Sequence, residues 1–263
     1  MLTNDYVPGA PSWVDLGSRD LDAAAAFYKA LFGWDFRPTG PESGGYGVFQ
    51  LAGQSVAALG PIQSDTALPA WTVYFETADA DATTKAVEQG GGTVRVPPMD
   101  VLDQGRLAGY TDPGGAEFAV WQPGTTKGLD RVGAGALCWT ELYTTDAERA
   151  RQFYTGLFSW DTEDVPLPGG AGTYTIVSRA GGGQEGSHGG IMQLHGDMLP
   201  DGVSYWQPYF AVADCDATVA KATEHGASVL MPSTDMEGVG RMALLGDPEG
   251  AVFAVLTPVE STV

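Results

Sequence analysis

The chain is poor in the side chains that usually carry covalent or metal chemistry. Histidine occurs only at 188, 195 and 225, and cysteine only at 138 and 215. No Ser-His-Asp or Cys-His arrangement has supporting context, and the run Gly181–Gly183 follows no strand and opens no helix, so it is no phosphate loop. His225 falls in the last turn of a helical pattern, where an imidazole complements the dipole. His188 and His195 fall in segments that read as exposed loops, with His188 able to reach a cavity mouth. Cys138 and Cys215 cannot build a disulfide framework and read as small buried hydrophobes. What remains is carboxylate beside aromatic. Asp15 and Glu141 each follow a tryptophan by two positions, Trp13 and Trp139, and each lies beside apolar neighbours. Carboxylates placed this way are half buried and need partners. Either Arg106 and Arg241 supply a structural ion pair, or the acids face a ligand.

The elements that position them follow from a duplication. Trp13 to Asp35 and Trp139 to Asp161 align without a gap at an offset of 126, with 10 of 23 positions identical. The stretches from Trp71 and Gly105 match those from Trp206 and Gly240. A weaker repeat inside each half spaces Asp20 from Asp79, and Gly33 from Gly92, by 59 residues. In each module a short alternating strand leads to an Asp-capped helix, a glycine stop and further strands, so the predicted order is β-α-β-β-β, four times. The stretch from Gln122 to Gly135 is polar and Gly-rich. It predicts domains at 8–124 and 136–259, joined by a linker at 125–135.

Composition narrows the partners. Thirteen Lys+Arg against 33 Asp+Glu give a formal charge of -20, which repels nucleic-acid phosphates and anionic lipid. No run of eighteen apolar residues occurs, and the N-terminus has neither a basic nor an apolar leader segment, so a cytoplasmic protein is expected.

With its Asp20, Ala24, Phe27, Tyr28, Leu31, Phe32, Gly33, Trp34 stretch, repeated as Asp146, Ala150, Phe153, Tyr154, Leu157, Phe158, Trp160, the chain resembles the vicinal oxygen chelate superfamily of glyoxalases, bleomycin resistance proteins and extradiol dioxygenases. The Asp112-Pro113-Gly114-Gly115 and Asp247-Pro248-Glu249-Gly250 turns fit as well. The resemblance implies an α+β fold of four βαβββ modules, forming two domains with curved mixed sheets around a cavity. It also implies a metal ion held by a His in the first strand of each module and a Glu in the last. Here those first-strand positions are Trp13, Thr72, Trp139 and Gln207, and the last-strand positions are Ala119 and Ala254. None is an ordinary protein ligand, so no metal and no other cofactor is expected.

Strand alternation then gives the lining of the cups. The first combines Trp13, Asp15, Thr72, Tyr74, Glu76, Glu117 and Trp121; the second combines Trp139, Glu141, Tyr143, Gln207 and Tyr209. Aromatic faces with carboxylates suit a planar or cationic small molecule. The leading expectation is a small-molecule binding protein for an aromatic or cationic metabolite or antibiotic. The alternative is an enzyme of secondary metabolism, a lyase, isomerase or oxygenase-like protein, using cavity carboxylates as a general base or around a hard cation. A third possibility is a scaffold whose cups are filled by side chains. The fused duplication predicts a monomer acting as a pseudo-dimer, or a homodimer.

Overall fold

The computed structural model describes residues 2–259 apart from 63 and 171. Four modules follow one another. The first holds β1 (Pro11–Ser18), α1 (Leu21–Phe32), β2 (Asp35–Pro38), β3 (Gly47–Leu51) and β4 (Gln54–Pro61). The second holds β5 (Ala70–Glu76), α2 (Ala80–Gln89), β6 (Thr93–Val101), β7 (Gly105–Thr111) and β8 (Glu117–Pro123). The third holds β9 (Leu137–Thr144), α3 (Ala147–Phe158), β10 (Asp161–Pro166), β11 (Thr173–Ser178) and β12 (Ser187–Gln193). The fourth holds β13 (Tyr205–Ala211), α4 (Cys215–Glu224), β14 (Ser228–Met236), β15 (Gly240–Gly246) and β16 (Val252–Pro258).

Local chemistry explains the boundaries. The α-helices α1 to α4 start on Asp20, Asp79, Asp146 and Asp214, whose side chains accept from the amide three residues on. Such caps contribute about 1 kcal/mol each. Helix α1 stops where Gly33 turns left-handed, with φ of 76°. The same turn in α3 is made by Ser159 at φ 57°, a conformation that a side chain makes costly.

The strands form two open eight-stranded mixed sheets, ordered β2-β3-β4-β1-β5-β8-β7-β6 and β10-β11-β12-β9-β13-β16-β15-β14. Within each module the first strand runs parallel to the last and the remaining pairs are antiparallel. The pairing of β6 with β7 slips between Val96 and Met99, and that of β14 with β15 between Met231 and Thr234. Pro97, Pro98 and Pro232 fall in those gaps, where no ladder N–H is available. Bulged, proline-bearing strands therefore close one edge of each sheet against further pairing.

Side-chain packing groups the modules across the repeat. One compact unit comprises Met1–Trp13, Thr72–Gly128 and Trp139–Gln207, the other Val14–Trp71, Leu129–Cys138 and Pro208–Val263. The inner modules share one core and the outer modules another. In the first unit α2 packs on α3, and Val73, Phe75, Phe118 and Val120 meet Phe153, Tyr154, Trp160 and Trp206. In the second, α1 packs on α4 and Tyr28, Trp34, Phe49 and Trp71 form an aromatic cluster with Phe210 and Phe253.

Each core contains a buried Trp-Tyr-Asp chain of hydrogen bonds. In the first unit the Trp206 indole N–H donates to the Tyr154 hydroxyl (2.8 Å), which donates to Asp112 Oδ2 (3.0 Å). Asp112 Oδ1 accepts from the amides of Gly114 and Ala116 and so shapes its own turn. The second unit repeats this with Trp71, Tyr28 and Asp247, whose Oδ1 holds the amides of Glu249 and Ala251. Burial raises Asp112 and Asp247 above the ordinary carboxylate range, against the pull of these amides, and lifts both phenols well above theirs. Replacing Tyr154 with Phe removes one hydroxyl and strands both the Trp206 donor and an Asp112 oxygen. Urea denaturation of Tyr154→Phe should show a loss of about 2 kcal/mol, and a change below about 0.5 kcal/mol would mean the chain of bonds is dispensable.

Candidate functional site

The first strand of each module turns one face to its core and the other away. On β1, Val14 and Leu16 are buried while Trp13, Asp15 and Gly17 alternate with them, half buried. On β5, Val73 and Phe75 are in the core; Thr72 and Tyr74 lie half buried on the opposite face, and Glu76 is buried. On β9, Leu142 is in the core, and the opposite face carries half-buried Trp139 and Tyr143 with buried Glu141 between them. Gln207 and Tyr209 on β13 are buried, alternating with core Trp206 and Phe210. On β8, Trp121 is buried beside Ala119, whereas Glu117 at the strand's start is exposed and paired with Arg95 at 2.8 Å.

The third module, with Tyr205 from the first strand of the fourth, gathers polar and aromatic groups on this face. Glu141 Oε2 accepts from the Tyr143 hydroxyl at 3.0 Å, and the Tyr174 hydroxyl also bonds to Glu141. The Trp139 indole N–H donates to Tyr174 Oη at 2.9 Å. Tyr205 lies beside Tyr143, ring centres 5.3 Å apart and planes tilted by 42°. Burial and then the Glu141 charge lift Tyr174 well above the usual phenol range and push Tyr205 up to about 12, so both stay neutral near pH 7. One carboxylate is thus flanked by neutral phenols and an indole, a set suited to an aromatic ligand with hydroxyl or ammonium donors.

A smaller version stands in the first module, where Tyr46 Oη bonds to Asp15 Oδ2 at 3.2 Å. The Tyr46 ring lies over Gly60, at which a Cβ would come within 2.6 Å of Cδ2. Tyr46, Tyr174 and Tyr205 were not among the residues expected from strand alternation in the first strands. Tyr46 and Tyr174 hold the same place in the repeat, at the start of a short alternating strand, and that recurrence was the available signal.

Glu76 is a different case. It lies at the end of β5, 6% exposed, with Oε2 buried and without a hydrogen-bond partner among the described residues. Burial pushes its carboxyl up to about 7, with Lys127 pulling back. Its neighbour in register is Trp121, whose indole lies over Gly105 and donates to Thr126 O at 3.0 Å.

Two expectations are corrected. Arg106 pairs with Asp81 and Asp100, and Arg241 with Asp216 and Asp235, so neither guanidinium serves Asp15 or Glu141. Both arginines lie opposite exposed acids on neighbouring elements, which solvate the pair more cheaply than a half-buried carboxylate would. His188 is no exposed loop residue. It lies in β12, 2% exposed, edge-on to Trp160 at 5.0 Å, and burial drives its pKa down to about 3. The break in pairing between Val177 and Ser178 accompanies its turn into the core. A groove of about 620 Å³ runs beside α3, but its ionic groups are spent on one another, Arg151 on Glu148 and Asp164. The convergence of acid and phenols around Glu141 is the better candidate.

The sequence profile of the Glyoxalase/Bleomycin resistance protein/Dioxygenase superfamily matches residues 11–120 and again 136–255, and the chain belongs to that superfamily. It is 41% identical to the anthracycline biosynthesis protein DnrV of Streptomyces peucetius, over 95% of this chain and 94% of that one. It is 37% identical to the glyoxylase-like protein CFP32 of Mycobacterium bovis, with 97% of each covered. Among solved structures, the Mn(II)-bound glyoxalase of Novosphingobium aromaticivorans superposes with a TM-score of 0.63 at 16% identity, covering 96% of this chain and 83% of that one, which speaks to fold alone. Among the described residues no helix is long and apolar enough to cross a membrane.

A divalent ion of the family type does not fit the donor set. Its expected positions carry the indoles of Trp13 and Trp139, the alcohol of Thr72, the amide of Gln207 and the methyls of Ala119 and Ala254. Among the described residues no group of three His, Cys, Asp or Glu side chains is placed to hold an ion.

The Glu76 shift has a stability consequence. Below about pH 4.5 both folded and unfolded chains hold its proton; between there and about 7 only the folded chain does. Stability should therefore fall as pH rises through this window, by about 2 kcal/mol after allowing for partial wetting of the group. Denaturation of wild type and Glu76→Gln at pH 5 and pH 8 checks this. The variant should lose most of that difference, and an unchanged pH slope would show that Glu76 is ionised throughout.

Proposed function

We propose that this protein binds a planar aromatic small molecule bearing hydroxyl or amine donors, without an intervening metal ion, on the Glu141 face of the third module. The observation that carries the reading is the convergence of Tyr143, Tyr174, Tyr205 and Trp139 on one buried carboxylate. Phenol and indole faces offer stacking surface, and the carboxylate takes the ligand's donor. The similarity to a protein named for anthracycline biosynthesis supports the same ligand class, because anthracyclines are fused-ring aromatics. The formal charge of -20 favours cationic over anionic members of that class.

A second reading has its own observation. Glu76, with a buried unpartnered oxygen and a carboxyl titrating near 7, is suited to proton transfer on an enolisable aromatic substrate. Its carboxylate would take a C–H proton, leave an enolate, and return the proton elsewhere, with no co-reactant.

Titration with 1,8-dihydroxyanthraquinone, followed by quenching of tryptophan fluorescence, tests the first reading. Saturable binding is expected, weakened about tenfold or more in Glu141→Gln. Absence of saturation up to the dye's solubility limit, or equal affinity in the variant, would sink it. Solvent deuterium entering an aromatic ketone in the presence of wild type but not of Glu76→Gln would favour the enzyme instead.

A further inference from the structure

Register extends the comparison of ligand positions to the two modules in which the last strand has no Asp-Pro turn to count from. Tyr74 pairs with Ala119 and Tyr209 with Ala254, so the last-strand position lies opposite the residue two after the first-strand position. By the same rule Asp15 marks Ala58, and Glu141 marks Gly190. Gly190 is thus the last-strand ligand position of the third module, and Trp139 the first-strand one. A Cβ built on Gly190 would fall on the Tyr174 hydroxyl, with the Tyr174 ring carbons next nearest. The side chain of any liganding residue at 190 would have to occupy the space that the phenol fills. That phenol is held from both sides, by the Trp139 N–H at 2.9 Å and by Glu141.

We propose that the Tyr174 hydroxyl occupies the metal half-centre of the third module, held there by Trp139 and Glu141 over Gly190, and that it determines specificity by meeting the ligand's oxygen or amine directly where a divalent ion would otherwise stand. The inference deepens the ligand-binding reading above and rests on it for the ligand class. Tyr174 has the right character for the role. Its hydroxyl accepts from an indole and bonds to a carboxylate, so it is neutral, ordered and polarised, and its ring supplies a stacking face. A metal would need an imidazole where Trp139 stands and a carboxylate where Gly190 stands, which the indole and the missing Cβ deny. Glu141 does not replace them, because its carboxylate already takes the tyrosine hydroxyls.

The test uses the 263-residue chain and two probes. Manganese(II) is titrated into the protein and the free ion is counted by its electron paramagnetic resonance signal. Wild type should leave the signal at its free amplitude. In parallel, Tyr174→Phe, which removes only the hydroxyl, should bind 1,8-dihydroxyanthraquinone about tenfold more weakly than wild type. Gly190→Ala, which drives the phenol out of place, should do the same. Uptake of one equivalent by wild type that is lost in Glu141→Gln overturns the inference, as does wild-type dye affinity in Tyr174→Phe. The two failures separate: a wild type that binds no dye counts against the ligand reading, whereas manganese uptake by wild type counts against this one.

Discussion

The bond from a tyrosine hydroxyl to the aspartate of an Asp-Pro turn, Tyr154 to Asp112 in one unit and Tyr28 to Asp247 in the other, sets the terms for the rest of the molecule. Each aspartate holds its own turn through two backbone amides and holds a helix from another module through one phenol. The carboxyl is buried, so it persists only because its oxygens are occupied. A tryptophan completes each chain, and a second tryptophan tethers each unit nearby. Trp160 donates to Gly9 O at 2.7 Å, and Trp34 to Gly135 O at 2.9 Å, at equivalent places in the repeat. Gly9 is confined to glycine by its φ of 82° and by the closeness of Phe158 and Trp160 to any Cβ there. The Phe-Tyr and Trp residues that mark the family in the sequence are therefore architectural.

That arrangement frees the opposite faces. Val14, Val73, Leu142 and Phe210 commit one side of each first strand to a core, so the alternate residues do not have to pack that core. They have changed. Asp15 is answered by Glu141 and Thr72 by Gln207, while Tyr46 and Tyr174 are kept, each lying over a glycine. The longer side chain of Glu141 accepts from Tyr143 as well as Tyr174, whereas a hydroxyl of Tyr46 reaches Asp15.

The fold was legible because its determinants are periodic and local. Aspartate caps, glycine stops and the gapless repeat each carry a mechanism that works within a few residues. The faces of the first strands were legible for the same reason, since alternation alone separates Trp13 and Asp15 from Val14 and Leu16. Partnership was not. Tyr174 comes from a hairpin strand more than thirty residues after Glu141, and nothing short of the strand register places its hydroxyl over Gly190. His188 misled because a Gly-rich neighbourhood resembles a loop, while here the glycines make room for neighbouring side chains at Gly189 and Gly190. Module pairing lay beyond sequence as well, because similar modules can meet within a half or across halves: here hydrogen-bonded strands join them within each half, and packing groups them across halves.

A carboxylate among phenols recognises by different physics from a metal ion. An ion polarises any oxygen that enters its open coordination position, so the bound group is activated as it is held. Glu141 with its tyrosines offers donors and acceptors of fixed direction, and a group meeting them would be held by hydrogen-bond geometry and stacking. The neutral phenols beside it keep the local charge at a single carboxylate, which a ligand amine or hydroxyl can answer without displacing a competing cation.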